Sequence, residues 1–218
     1  MVMRNRIVAG VAALLLAGGA GAAAAPAAHA ATPACGSGCL ALAAQSWGPN
    51  YVTSDPGGAT AGQDVILARA AEFSAEDFKL QDYGTVASFY SAGIVGPAVG
   101  LTWPSDEVYG YQYAPGGVPT TLCLGLAATA ANGTAVSLQT CGTSAKVAWI
   151  ALSADRIGNY QPLINASDTV TSTPYVLTAG QVGGVLTTTE MYLSAGSVAP
   201  SQMWENRSGV YYPYQLGG

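Results

Sequence analysis

Three times along the chain, a leucine closing a β-rich run is followed eleven residues later by a large aromatic ring. The pairs are Leu67 to Phe78, Leu138 to Trp149 and Leu193 to Trp204. This recurrence constrains the fold more than composition does, because one such unit is too short to bury its own ring. Several units must share a core. The closing rings stand 71 and then 55 residues apart, so the first interval predicts an insertion after the first repeat, around residues 96–110.

Local patterning predicts an all-β chain. Val65–Leu67, Val86–Tyr90, Ala135–Leu138 and Tyr175–Thr178 are β-rich runs bounded by Gly, Pro, Asn or Asp. With 28 Gly and 12 Pro in 218 residues, every long helical candidate is interrupted. Only Leu40–Gln45 and Leu67–Phe78 offer one or two helical turns.

The most informative segment runs Leu122-Cys123-Leu124-Gly125-Leu126, then Asn132-Gly133-Thr134, then Val136-Ser137-Leu138-Gln139 closing on Cys141, and ends at Ala148-Trp149. Weaker copies lead from Gly62–Leu67 to Glu76-Asp77-Phe78, and from Met191-Tyr192-Leu193 to Gln202-Met203-Trp204. The central segment resembles one repeat of the ricin-B-type β-trefoil, with Val147 where that family has the Gln of its Gln-x-Trp. The resemblance implies a β-trefoil of three degenerate repeats, about 47–95, 111–155 and 160–214, in one domain spanning 47–218. Residues 31–46 then form an N-terminal extension or a first strand, and Tyr211–Tyr214 is expected to close the barrel. An immunoglobulin-like sandwich has similar strand density, but the threefold pattern favours the trefoil.

Residues 1–30 read as a signal peptide: Arg4 and Arg6 precede an apolar stretch over Ile7–Ala20, and Ala28-His29-Ala30 gives a small-x-small cleavage pattern. Cleavage there predicts a secreted protein, with no membrane anchor once the signal is gone. It also removes the one histidine and moves the formal charge from −5 to −7. A chain without histidine has no Ser-His-Asp or Cys-His machinery and no imidazole metal ligands. Its few cations are scattered, so nucleic acid is not an expected partner. Four cysteines in an oxidising compartment predict disulfides, of which Cys35–Cys39 and Cys123–Cys141 are the simplest of three pairings. Zinc ligation fits their spacing poorly, and no cofactor is expected.

The resemblance implies sugar binding by an Asp after the Cys-Leu strand, an aromatic ring in the Val-x-Leu run and an Asn in the closing loop. Here those positions are Gly125, Gln139 and Lys146 in the central repeat. In the first they are Thr53 or Ser54, Ala68 and Ala75; in the third, Thr178–Ala179, Ser194 and Ser201. No repeat keeps the full set. The expected function is therefore a non-catalytic binding module whose partner is a carbohydrate or an extracellular protein. Its candidate ligand surface is Trp103, Tyr109, Tyr111 and Tyr113, since period-two spacing puts the three tyrosines on one face of a strand. The competing reading makes those rings core. The acids Asp64, Glu76-Asp77, Asp106-Glu107 and Asp155 read as solvated charge, and the sequons at Asn132, Asn165 and Asn206 as polar turns.

Overall fold

A computed structural model describes residues 39–47, 50–54, 58–69 and 76–208, all within the compact unit Ala31–Gly218. The first repeat supplies strands β1 (Leu40–Ala44), β2 (Asn50–Ser54), β3 (Val65–Arg69) and β4 (Phe78–Thr85). The second supplies β5 (Glu107–Tyr113), β6 (Leu122–Leu126), β7 (Thr134–Thr140) and β8 (Trp149–Ala151). The third supplies β9 (Leu163–Asn165), β10 (Tyr175–Thr178), β11 (Thr187–Glu190) and β14 (Trp204–Ser208). A small extra hairpin, β12 (Leu193–Ser194) with β13 (Ser197–Val198), interrupts the third.

The outer strands of each repeat form a closed ring of antiparallel pairs: β1 with β4, β4 with β5, β5 with β8 and β8 with β9. Gln161 and Trp204 then exchange two 2.9 Å backbone hydrogen bonds, and β14 returns to β1 along its whole length. The inner strands pair as three hairpins, β2–β3, β6–β7 and β10–β11. A six-stranded barrel capped by three hairpins is a β-trefoil.

The hairpins are stitched together cyclically. Gly62, Gly133 and Gly183 sit at φ +83°, +78° and +79°, a region open to glycine without steric cost. Each N–H donates over 2.7 Å to the next repeat, Gly62 to Leu138, Gly133 to Thr188 and Gly183 to Leu67. Leu67, Leu138 and Thr188 are therefore the equivalent positions, and all three are fully buried. This corrects the third spacing anchor. Leu193 lies half exposed in the extra hairpin, and its eleven-residue gap to Trp204 is a coincidence.

The three closing rings do share one core. Phe78, Trp149 and Trp204 open β4, β8 and β14 and are buried to 1% or less. The two indoles donate Nε1–H to the carbonyls of Leu124 (2.9 Å) and Leu177 (2.7 Å), satisfying the polar end of a buried ring.

Several local expectations change. Leu40–Ala44 is a barrel strand, which agrees with the first-strand alternative and replaces the helical turn. All five of its residues are buried, so no period-two pattern marks it. Leu67–Arg69 is also strand. Val86–Tyr90 is helical: α1 (Val86–Ser91) is capped by Thr85, whose side chain accepts from Ser88 N–H, and buries Val86 and Phe89 three residues apart. With α2 (Pro97–Thr102) it forms the insertion, which thus begins at Val86 and ends before β5. The barrel is closed by Trp204–Ser208, and Tyr211–Tyr214 lies outside the described residues. Among the described residues no helix is long and apolar enough to cross a membrane.

The insertion packs Val86, Phe89, Val95 and Val99 onto Val108, Ile150, Ile164 and Val176, making a second apolar cluster on the barrel's outer side. Asp106 secures it by accepting from Ser153 N–H (3.1 Å) and Ser153 Oγ–H (2.5 Å). The cysteine at 123 is joined to Cys141, clamping the open end of the β6–β7 hairpin. Cys39 is also disulfide-bonded, and the partner expected from sequence, Cys35, lies outside the described residues.

Candidate functional site

The tyrosine row of β5 does share one face, but that face is the inner one. Tyr111 and Tyr113 are fully buried in the main core, Tyr113 tilted against Phe78 at 5.6 Å between ring centroids. Tyr109 is half-buried against the same core, and Trp103 packs half-buried against the second cluster. Burial pushes the Tyr111 phenol well above its usual range, opposed by the Asn206 side chain. Tyr109 is also raised, by burial first and then by Glu107 and Asp82, with Arg156 opposing. As placed, Tyr111 and Tyr113 offer a ligand no surface.

Some acids are not solvated either. Glu76 and Asp106 are buried. Asp77 is half-buried and burial lifts its carboxyl to about 6. Register explains this: Glu76-Asp77-Phe78 occupies the positions of Val147-Ala148-Trp149 and Gln202-Met203-Trp204, whose leading residues are buried in every repeat. Among the sequon positions, Asn165 is buried, not at a turn surface. Its Nδ2 donates to the Lys146 carbonyl (3.0 Å) and its Oδ1 accepts from Ser167 N–H (3.1 Å) and Oγ–H (2.6 Å).

The family-type positions differ sharply between repeats. In the second, a Cβ at Gly125 would lie 2.7 Å from Val147 Cγ1 and 2.9 Å from the Lys146 carbonyl, so the place of the family's Asp is already filled. Gln139 is turned to Ser137 Oγ (2.7 Å), and Lys146 Nζ donates to the Ala127 carbonyl (3.1 Å). In the first repeat Ala68 brings no functional group. The side chains of Thr53 and Ser54, and all of Ala75, lie outside the described residues.

The third repeat is built differently. Register pairs Leu177 with Thr188 and Thr178 with Thr187, so Thr189, rather than Ser194, corresponds to Gln139. Thr178 and Thr189 hydroxyls share a 2.7 Å hydrogen bond. The buried Gln202 holds them: Nε2 donates to Thr189 Oγ1 (2.9 Å), Thr178 Oγ1 (3.3 Å) and the Glu190 carbonyl (2.8 Å), while Oε1 accepts from Tyr192 N–H (2.8 Å). The Tyr192 carbonyl accepts from Ala199 N–H (2.9 Å), pinning the extra hairpin beside this cluster. Tyr192 itself is 65% exposed, next to an exposed Glu190 and a 54% exposed Leu193. Gln202 thus gathers the Thr178 and Thr189 hydroxyls with the backbone of Glu190 and Tyr192, and the Tyr192 ring stays open to solvent beside them in the chain. Sequence reasoning named Gln202 as part of Gln-x-Trp but missed the cluster, because its anchor on Leu193 displaced the register.

No protein-family model and no curated protein matches the sequence. Solved structures do match. The designed threefold symmetric protein ThreeFoil is 12% identical over 79% of this chain and 99% of its own, with a TM-score of 0.54. The fold is shared. A mosquitocidal holotoxin is 15% identical at a TM-score of 0.55, over 79% of this chain but 17% of the toxin. The Polyporus squamosus lectin, solved with a human-type influenza-binding epitope, is 16% identical at a TM-score of 0.51, over 79% of this chain and 49% of the lectin. The β-trefoil therefore spans half or less of those two proteins.

Proposed function

We propose that this chain is a secreted, non-catalytic carbohydrate-binding module and that the third repeat carries its ligand surface. The observation behind this reading is Tyr192: an exposed ring whose backbone N–H is held by Gln202, which also binds the Thr178 and Thr189 hydroxyls. A ring face suits the C–H face of a sugar, and hydroxyl and carboxylate oxygens pair its hydroxyl groups. The lectin of like fold was solved with a sialylated oligosaccharide, which supports the class of partner but not its identity. The amino-terminal segment and the Cys123–Cys141 disulfide support export to an oxidising space.

The test is pull-down on chitin, cellulose, xylan and peptidoglycan, followed by titration with soluble fragments of whichever binds. Tyr192→Ala is expected to weaken binding about tenfold or more, as loss of a central stacking ring does. Trp103→Ala is expected to leave it unchanged. Retention by none of these polysaccharides, or equal binding by Tyr192→Ala, defeats the reading. The exposed Leu193 beside Tyr192 favours the second reading, an extracellular protein partner on the same surface. Co-purification of one partner that is lost with Leu193→Ser would establish it.

A further inference from the structure

A groove of about 550 Å³ lies between the α1–α2 insertion, the β7–β8 connection of the second repeat and the β9–β10 connection of the third. Of the three family-type positions of the second repeat only Lys146 lines it, and Gly125 and Gln139 do not. Its size falls within the range of small-molecule sites, roughly 300–1,000 Å³.

The floor is wired in place. Asn165 binds the Lys146 carbonyl and Ser167, and Ser167 Oγ in turn accepts from Ala130 N–H (2.9 Å). Asp168 is 2% exposed and lines the groove, with Oδ1 accepting from Val170 N–H (2.8 Å) and Oδ2 from Tyr175 N–H (2.6 Å). A carboxylate has about four acceptor sites, and the N–H groups of Val170, Tyr175 and Thr169 take three, so one remains. Lys146, which also lines the groove, spends one N–H on the Ala127 carbonyl and keeps two more donors. The exposed hydroxyls of Thr129, Thr143 and Thr169 both donate and accept.

Those groups define a ligand class. One ammonium and one carboxylate in the same groove balance, which disfavours a charged ligand. Hydroxyls on several sides, with Ile94 and Ala166 supplying apolar wall, suit a compact molecule covered in hydroxyl groups. No aromatic ring lines the groove, so hydrogen bonds rather than stacking must hold it.

We propose that this groove is a second saccharide subsite, taking one neutral, hydroxyl-rich sugar unit between Lys146, Asp168 and the insertion. The proposal rests on the reading that the chain binds carbohydrate, but uses none of the Tyr192 surface. The insertion is what walls this site, through Ile94 and Gly96.

Gly96 provides the test. Its backbone is extended (φ −75°, ψ 167°) and a Cβ there meets nothing within 4 Å, so a large side chain fits the fold at the wall of the groove. The full chain is titrated with glucose, galactose and N-acetylglucosamine, with each backbone amide followed by NMR. At least one sugar is expected to shift Gly96, Lys146, Ser167, Asp168 and Thr169 together. Gly96→Trp is expected to weaken that response about tenfold or more, while the amides of Thr189–Leu193 respond as before. Lys146→Met, on an exposed side chain, is expected to weaken it in the same direction. Groove amides that stay still while Tyr192 responds overturn the proposal and leave the third-repeat reading standing. Groove shifts that survive Gly96→Trp also overturn it. Groove shifts without any at Tyr192 support the subsite and sink the third-repeat surface, and no shift anywhere sinks both.

Discussion

The second and third repeats place the same backbone positions at the surface and do opposite things with them. In the second, Val147 sits over Gly125 and closes the space a functional side chain would need. In the third, Gln202 takes the place of Val147 and ties Thr178, Thr189, Glu190 and Tyr192 into one cluster. One buried position thus decides whether the neighbouring surface is plugged or organised. The repeat that most resembles the ricin-B pattern in sequence is the plugged one. Resemblance tracks the strands and the core ring, whereas a binding surface depends on a side chain that can change from amide to isopropyl without disturbing either.

The largest expected effect tests whether the repeats are equivalent beneath that difference. Trp149→Ala and Trp204→Ala are each expected to cost about 3–5 kcal/mol, by chemical denaturation, because each empties a fully buried ring from the shared core. A cost below about 1 kcal/mol for either breaks the equivalence. Next comes the disulfide, which among the described residues only the second repeat places across its hairpin. Replacing Cys123 and Cys141 by alanine is expected to cost about 3 kcal/mol by relaxing the unfolded-state loop. Hydrogen exchange is expected to rise more in β6–β7 than in β10–β11, and uniform loosening counts against independent hairpins.

The plug itself is tested by a double-mutant cycle. Gly125→Ala is expected to destabilise by about 1–3 kcal/mol through overpacking on Val147. Val147→Ala is expected to recover part of that loss, with a coupling of about 0.5 kcal/mol or more. Additive changes mean that Val147 does not fill the site. The smallest effect concerns the first repeat, where Asp77 stands at the position of the buried Ala148 and Met203. Its carboxyl is raised by burial from 3.8 to about 6, so the folded state holds more protons than the unfolded between those values. Stability from this group therefore falls as pH rises from about 4 to 6. Asp77→Asn is expected to flatten that slope and to gain on the order of 1 kcal/mol at neutral pH, solvent screening included. A thermal-melt series that leaves the slope unchanged assigns it to other groups.

Much of the fold was legible because it rests on features a sequence displays. Phe78, Trp149 and Trp204 are large, and the Cys123–Cys141 hairpin is bounded by turn residues. The site was not legible. Period two correctly put Tyr109, Tyr111 and Tyr113 on one face of β5, but the same alternation holds whichever face turns inward. Thr188 escaped notice because a threonine fills a leucine's position, its hydroxyl satisfied by the Ala131 carbonyl at 2.8 Å. Without that anchor, spacing points to Leu193, and the register it implies hides the cluster around Gln202.

By itself the sequence determined an all-β chain of three ring-closed repeats, with an insertion after the first. Those properties follow from spacing, side-chain size and turn chemistry, which act over a few residues. Only the tertiary structure decided which tyrosine face is core, that the insertion is a helical pair seated on the barrel, and which repeat leaves its surface open. Each of those outcomes depends on what a distant segment places against the residue, and separation along the chain carries no record of that contact.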